Sequence, residues 1–457
     1  MLDTLAQRYL PPALYSAVRQ WRTQLAPQGS IRERFAGGVF WSLVGMAVSN
    51  AAGLITGAAL ARMMGREGYG EVGVIIGAYA LFSQLGGLGL GVTAAKYSAQ
   101  GRVTDRPTVG RMLGGLLVLA SVSYAVAAIT LVVLASDLAV MLNRPSLAGP
   151  IRLSGLVLFL QGVDSIQSGI LSGFEAFRAV ARVTTMRALV NLPVTVLGAW
   201  FFGLYGAVGA MAVTGLFTLL LNRIALAAVL RRDEVTIVYG LEWALLKPLW
   251  EFSLPAFLSA TLTMISTFIL AAMLVNQPDG YSQMGLFNAA SQWRALGIFV
   301  PTVFNPAVLS IQSNLFASGK RGAYHQSVTG NLAVQGVMAA LVVAALGVLA
   351  PYLMTIYGAQ YHDAAEVLVL LALGWLLLTP SWIFWIAAVS RGDVWPGLML
   401  NVIGVASLIG LAWFFVADGA RGVALATLYA ALVQVTLQGL HYVWTRRRDA
   451  RSGALSV

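Results

Sequence analysis

The chain has 457 residues, 58% of them hydrophobic and 10% charged, with a formal net charge of +11 and no cysteine. Soluble domains carry about 25% charged residues, so the composition argues against an ordinary soluble protein. The missing thiol excludes disulfides, a cysteine nucleophile and a thiolate metal site.

Residues 1–36 hold no apolar stretch long enough for the core of a signal peptide. Leu14, Val18, Trp21 and Leu25 follow helical spacing, with Arg19, Gln20 and Arg22 elsewhere on the wheel. That pattern reads either as an amphipathic helix on the membrane surface or as a basic tail. Apolar runs then recur near 37–61, 71–95, 110–135, 151–173, 183–202, 204–230, 252–275, 283–311, 328–350, 364–389, 394–416 and 420–444. Runs of about 20 apolar residues read as membrane spans. The expected fold is therefore an all-α polytopic membrane protein with twelve transmembrane helices.

An even number of spans puts both termini on one side. Twenty-three Lys and Arg residues fall on that side and five on the other, with Arg294 inside a span. Basic residues gather in short cytoplasmic loops, so both termini are expected to be cytoplasmic. The same bias explains the positive charge without nucleic acid.

The stretch "ALARMMGREGYGEVG" (59–73) becomes the first external hairpin. Its "GYGEVG" (68–73) aligns with "GYSQMG" (280–285) at an offset of 212, and "GAVG" (206–209) aligns with "GARG" (419–422) at 213. A near-constant offset at both ends of a half points to duplication of six spans. The expected organisation is two pseudo-symmetric six-helix lobes, 37–232 and 252–444. A cytoplasmic linker (233–251) joins them, and basic segments flank them at 1–36 and 445–457.

No G-x-x-x-x-G-K-[ST] phosphate loop occurs, and neither a cofactor nor an enzymatic activity is expected. "GGLGLGVTA" (86–94) lies inside a span and reads as small residues that let helices pack closely. His325, His362 and His441 are scattered near span ends and do not suggest a metal site. Charges inside spans are more informative, because each is costly unless paired or wet. Arg294 lies 11 residues into its span and Asp164 lies 13 into its own, both near the middle of a core about 30 Å thick. Neither has a charged counterpart in the other half, where Leu376 and Phe82 stand instead.

Gln161, Asp164, Ser165, Ser168 and Ser172 share one helical stripe, and Asn288, Ser291, Arg294 and Asn305 share a broad face. Arg294 is a candidate for binding an anionic substrate, with a structural ion pair as the competing reading. Asn288, Ser291, Gln292, Asn305 and Gln161 are candidates for lining the same cavity. Arg62, near the outer mouth, could extend it as a cationic vestibule or snorkel to headgroups. Asp164 is a candidate for gating or ion coupling, or for a helix-to-helix hydrogen bond. Arg187 and Arg223 read as inner-end positive charge.

With these residues in place, the segment 53–100, "LSGFEAFR" (171–178), "EFSLPAFLSATL" (251–262) and "GYSQMGLFNAASQWRALGIFVPTVFNPAVLSI" (280–311) resemble, in succession, Wzx-type polysaccharide flippases. These belong to the multidrug/oligosaccharidyl-lipid/polysaccharide exporter superfamily. The resemblance implies a bacterial inner-membrane flippase with a cationic cavity between its lobes. Its cargo would be undecaprenyl-pyrophosphate-linked oligosaccharide, moved to the periplasmic leaflet by alternating access coupled to an ion gradient. Membrane lipids are implied as surroundings, and a polysaccharide polymerase and chain-length regulator as partners. Competing readings are a multidrug or organic-cation antiporter, a lipid II flippase, and a membrane glycan polymerase or ligase.

Overall fold

The computed structural model describes residues 31–101, 106–240 and 243–451; the candidate amphipathic helix at 14–25 lies outside them. Among the described residues there is no strand. In hydrocarbon each backbone N–H and C=O must be satisfied within its own segment, so long apolar runs close into helices.

The first rod, Ile31–Gly87, is broken by non-helical Gly65 into α1 (31–64) and α2 (66–87). There follow α3 (Leu90–Gly101), α4 (Arg106–Met141) and α5 (Ala148–Gly173). A second rod, Phe177–Arg232, is broken at Gly203 into α6 (177–202) and α7 (204–232). The other half holds α8 (Trp243–Val275), α9 (Gly280–Ala317), α10 (Arg321–Thr355), α11 (Ala364–Arg391), α12 (Val394–Phe415) and α13 (Gly419–Arg451). Counting α2 and α3 as one interrupted span, these are the twelve expected spans in two lobes.

The run read as one span at 71–95 is thus discontinuous. Leu88 and Gly89 both have positive φ, at 44° and 72°. Ser123 donates a 2.7 Å hydrogen bond to the Gly86 carbonyl, which the break frees from the helix ladder. The expected small-residue packing is also present. A Cβ on Gly169 or Gly173 of α5 would overlap the α3 backbone at Gly91 or Ala95, so main chain lies against main chain.

The duplication extends further than the glycine motifs. "AWFF" recurs unchanged at 199–202 and 412–415. The first copy breaks at Gly203 (φ 57°), directly after the motif. The second inserts a 3-10 turn, Val416–Asp418, before its break at Gly419 (φ 64°). Phe202 and Phe414 are more than 70% exposed, an aromatic rim suited to a membrane interface. After α7, the linker runs extended along α4, where the Val238 N–H donates to the Gly110 carbonyl at 3.2 Å. A Cβ on Gly110 or Gly114 would overlap linker carbonyls.

The lobes meet through α1 and α2 on one side and α8 and α9 on the other. Hydrogen bonds between them cluster at one end, here the closed end, which carries the hairpins expected to be external. Arg66 pairs with Asp363 at 3.2 Å. Tyr361 donates to the Gly65 carbonyl at 3.1 Å, and Tyr281 to the Leu142 carbonyl at 2.7 Å. The Tyr69 ring lies 6.3 Å from both Tyr357 and Tyr361. Arg144 pairs with Glu67 and Glu71 and stacks over the Tyr281 ring at 5.1 Å. The two repeated glycine–tyrosine motifs interlock here. A Cβ on Gly70 would overlap the Tyr281 carbonyl, and one on Gly285 the Arg66 carbonyl. Gly285→Ala should therefore pry this end open. A cysteine at Ala289, which is 0% exposed, should resist thiol reagents in the parent and react in the Gly285→Ala background; equal protection in both would contradict the interlock.

The opposite, basic end of the second lobe is stitched by a buried network. His325 Nε2 lies 3.1 Å from Asp449 and Nδ1 lies 3.0 Å from the Tyr442 hydroxyl. A carboxylate only accepts, so Nε2–H donates to Asp449 and Tyr442 donates to Nδ1. Arg391 grips the same carboxylate at 2.8 Å. Burial pushes the His325 imidazole below its ordinary value. For Asp449, burial acts upward, but the Arg391 and His325 bonds outweigh it and hold the carboxyl low. At both groups the folded chain binds fewer protons than the unfolded one. Stability is then complete above the ordinary histidine value, about pH 6.5, and drains as pH falls below it. The melting temperature in detergent should drop on acidification, and His325→Gln should flatten that slope.

Candidate functional site

The interior of the first lobe holds the polar stripe of α5. Gln161 accepts from the Tyr79 hydroxyl of α2 at 2.9 Å and donates to the Met211 carbonyl of α7 at 3.4 Å. One turn on, Asp164 is 8% exposed and accepts from the Asn222 amide of α7 at 2.7 Å. Thr218, a turn before Asn222, sets its hydroxyl beside the same carboxylate. Ser165 faces the Tyr124 hydroxyl of α4 at 3.3 Å. The Tyr124 ring fits here because Gly86, Gly87 and Gly162 leave room for it; a Cβ on Gly162 would overlap the ring.

α6 carries Arg187. Its side chain is exposed. α6 begins at Phe177, which sets Arg187 ten residues, or about 15 Å, along it. Tyr79, Tyr124, Thr218 and Asn222 were not singled out from sequence. The signal available for Asn222 was an amide inside the run "FTLLLNRIALAAVL" (217–230).

The candidates from α9 divide. Asn288 donates to the Tyr69 carbonyl at 3.3 Å and lies over Gly73. Gln292 accepts from the Tyr357 hydroxyl at 2.9 Å and fills the notch at Gly57. Both are seam residues at the closed end. So is Arg62, whose guanidinium donates to the carbonyls of Ile356 at 2.8 Å and Thr355 at 3.3 Å, at the end of α10. Asn305 accepts from Gln335 at 3.1 Å within the second lobe, and Ser291 is half-buried. The backbone of α9 carries Arg294; its side chain lies outside the described residues.

The arrangement is a charged, hydrogen-bonded interior in one lobe of a two-lobe bundle whose lobes are joined mainly at one end. Among the described residues no cluster of three or more His, Asp or Glu could hold a metal ion.

That architecture is the two-lobe transporter fold. A multidrug resistance transporter of the MATE family, MOP superfamily, in an inward-facing conformation is similar to 90% of this chain and 96% of its own, at 16% identity and a TM-score of 0.74. An outward-facing MATE transporter gives 19% identity, 93% and 97% coverage, and a TM-score of 0.66. A MOP superfamily transporter from Pyrococcus furiosus, described by a reversed polarity of its binding pocket, gives 19%, 93% and 96%, and 0.69. No curated protein sequence matches the chain. The family model for Polysaccharide biosynthesis protein matches residues 35–311. The chain belongs to that family, and is a multi-pass membrane protein with the fold of these transporters.

The Asn222–Asp164 bond bears directly on folding. Asn222→Ala leaves a buried carboxylate short of a donor, which should cost about 1–3 kcal/mol and lower the melting temperature. An unchanged melt would show that water already solvates Asp164.

Proposed function

We propose that the protein is a flippase that carries undecaprenyl-pyrophosphate-linked oligosaccharide from the cytoplasmic to the periplasmic leaflet. The observation that carries this reading is a buried polar cluster, with Gln161 bonded to Tyr79 and Asp164 to Asn222, inside one lobe of a two-lobe transporter fold, in a chain of the polysaccharide biosynthesis family. A diphosphate and a glycan cannot cross hydrocarbon unaided, because each polar group would lose its water uncompensated. A wet cavity with arginine replaces that hydration by charge-assisted hydrogen bonds. The lipid tail would stay in the bilayer, passing through the gap between lobes.

The loop charges support cytoplasmic termini in the inner membrane and an external closed end. The lobes then stand as in the inward-facing MATE relative, open to cytoplasmic cargo. In this reading Arg294, Ser291, Asn305 and Gln161 contribute to the cavity. Asn288, Gln292 and Arg62 act in the seam that must part for release, and Asp164 couples the cycle to an ion. A polymerase and a chain-length regulator would take over the delivered unit.

MATE relatives share the fold, and a multidrug exporter is the second reading, for which Asp164 would serve a cationic drug. The polysaccharide biosynthesis family model over residues 35–311 supports the lipid-linked glycan instead. Arg294→Ala should abolish polymer export at near-normal protein level, and Arg294→Lys should restore it partly, since lysine lacks the bidentate fork. Normal export in the alanine variant would rule out an essential anion site at that position.

A further inference from the structure

We propose that the basic end of the second lobe holds a binding site for an anionic membrane phospholipid, in the wedge between α11 and α12 that is floored by α13. The site is independent of the cargo. Helices α11 and α12 are joined at Gly392, whose φ of 83° turns the chain sharply, and each packs on α13 far more than on the other. A cleft of about 380 Å³, counted to its open mouth, is left between them. Phe384 and Trp385 of α11, Leu400 of α12 and Gln438, His441 and Tyr442 of α13 line it. A Cβ on Gly397 would overlap the Trp385 ring, so that ring reaches across from α11 to α12.

The lining groups change with depth as the parts of a phospholipid do. α13 starts at Gly419, near the exposed Phe414 of the aromatic rim. Gln438 lies 19 residues on, roughly 28 Å along the helix, at the far border of a core about 30 Å thick. The ester groups of a phospholipid lie at that border. Gln438 is 6% exposed, and its Oε1 has no hydrogen-bond partner. A buried amide left unpaired is costly. Turned by half a revolution, it offers its N–H to an ester carbonyl. One turn further on, the His441 ring stacks on Trp444 at 6.1 Å, and the Arg448 guanidinium lies 5.3 Å over the same indole. Imidazole and guanidinium thus stand in a row at the level of a phosphate. Arg446, Arg447 and Arg451 add positive charge to the same end of the helix, and basic clusters at a membrane boundary attract anionic headgroups. Arg391 also lines the cleft, but it is committed to Asp449 and Asp393, which leaves the phosphate to α13. Phe384, Trp385 and Leu400 suit the acyl chains. Tyr442 and Arg391 belong both to the cleft wall and to the His325 network, so an occupied cleft braces that network.

The test is thermal melting of purified, delipidated full-length protein in detergent, with phosphatidylglycerol or zwitterionic phosphatidylcholine added, and native mass spectrometry to count bound lipid. Phosphatidylglycerol should raise the parent's melting temperature more than phosphatidylcholine does, since a ligand of the folded state stabilises it by mass action. Arg448→Gln, at an exposed position, should weaken phosphatidylglycerol binding about fivefold, the effect of one basic residue beside anionic lipid. Gln438→Leu removes the amide at similar volume, and its gain from phosphatidylglycerol should fall likewise. Melting without lipid confirms that each variant folds. Equal stabilisation of the parent by the two lipids, or an undiminished phosphatidylglycerol effect in either folded variant, overturns the proposal. So does displacement of bound phosphatidylglycerol by equimolar undecaprenyl pyrophosphate, which would make the cleft a port for cargo.

Discussion

Main chain presses on main chain where the two repeated glycine–tyrosine motifs cross, and the remaining architecture hangs from that contact. Gly70 lies under the Tyr281 carbonyl and Gly285 under the Arg66 carbonyl. Helices that close cannot carry side chains at the crossing, because in a bilayer association depends on close packing instead of on expulsion of water. The seam then recruits polar residues that bond to backbone: Asn288 to Tyr69, Tyr361 to Gly65 and Arg62 to the end of α10. Each bond joins elements of different lobes and lies toward the same end. Motion of the lobes must break them together, which favours two discrete arrangements over a continuous range.

The duplication supplies the frame, and the two copies depart from it in their buried charge. One copy holds Asp164, Asn222 and Arg187; at the position of Asp164 the other has Leu376. The second copy spends its buried charge at the basic end, where His325, Asp449 and Arg391 tie α10, α11 and α13 together. The two copies thus place their buried charge differently, within the first lobe at Asp164 and at the basic end in the second. The helix breaks also differ. Leu88 and Gly89 interrupt the second span of the first copy, so α2 belongs to the seam while α3 is bound to α5 by glycine contacts. A rigid span would force seam and lobe to move as one body.

Much of this was legible in the residues. Apolar run length determined the helices, because hydrocarbon admits no other open backbone conformation. The offset of glycine motifs determined the two lobes, and family membership of the stretch 35–311 agrees with the resemblance read from the motifs. Asp164 and Gln161 stand out in sequence as polar residues in an apolar span, and the structure does join them to one polar cluster. What periodicity could not supply was partner and direction. Asn288 and Gln292 share a helix face with Ser291 and Arg294, yet they point into notches at Gly73 and Gly57. A helical wheel ranks polarity around one axis and says nothing of which neighbour carries a glycine. The sequence by itself therefore determined the spans, the repeat and the presence of buried charge, all local consequences of hydrophobicity. The tertiary structure decided which polar groups form the seam and which bond inside a lobe, because that depends on contacts between residues as much as 300 positions apart.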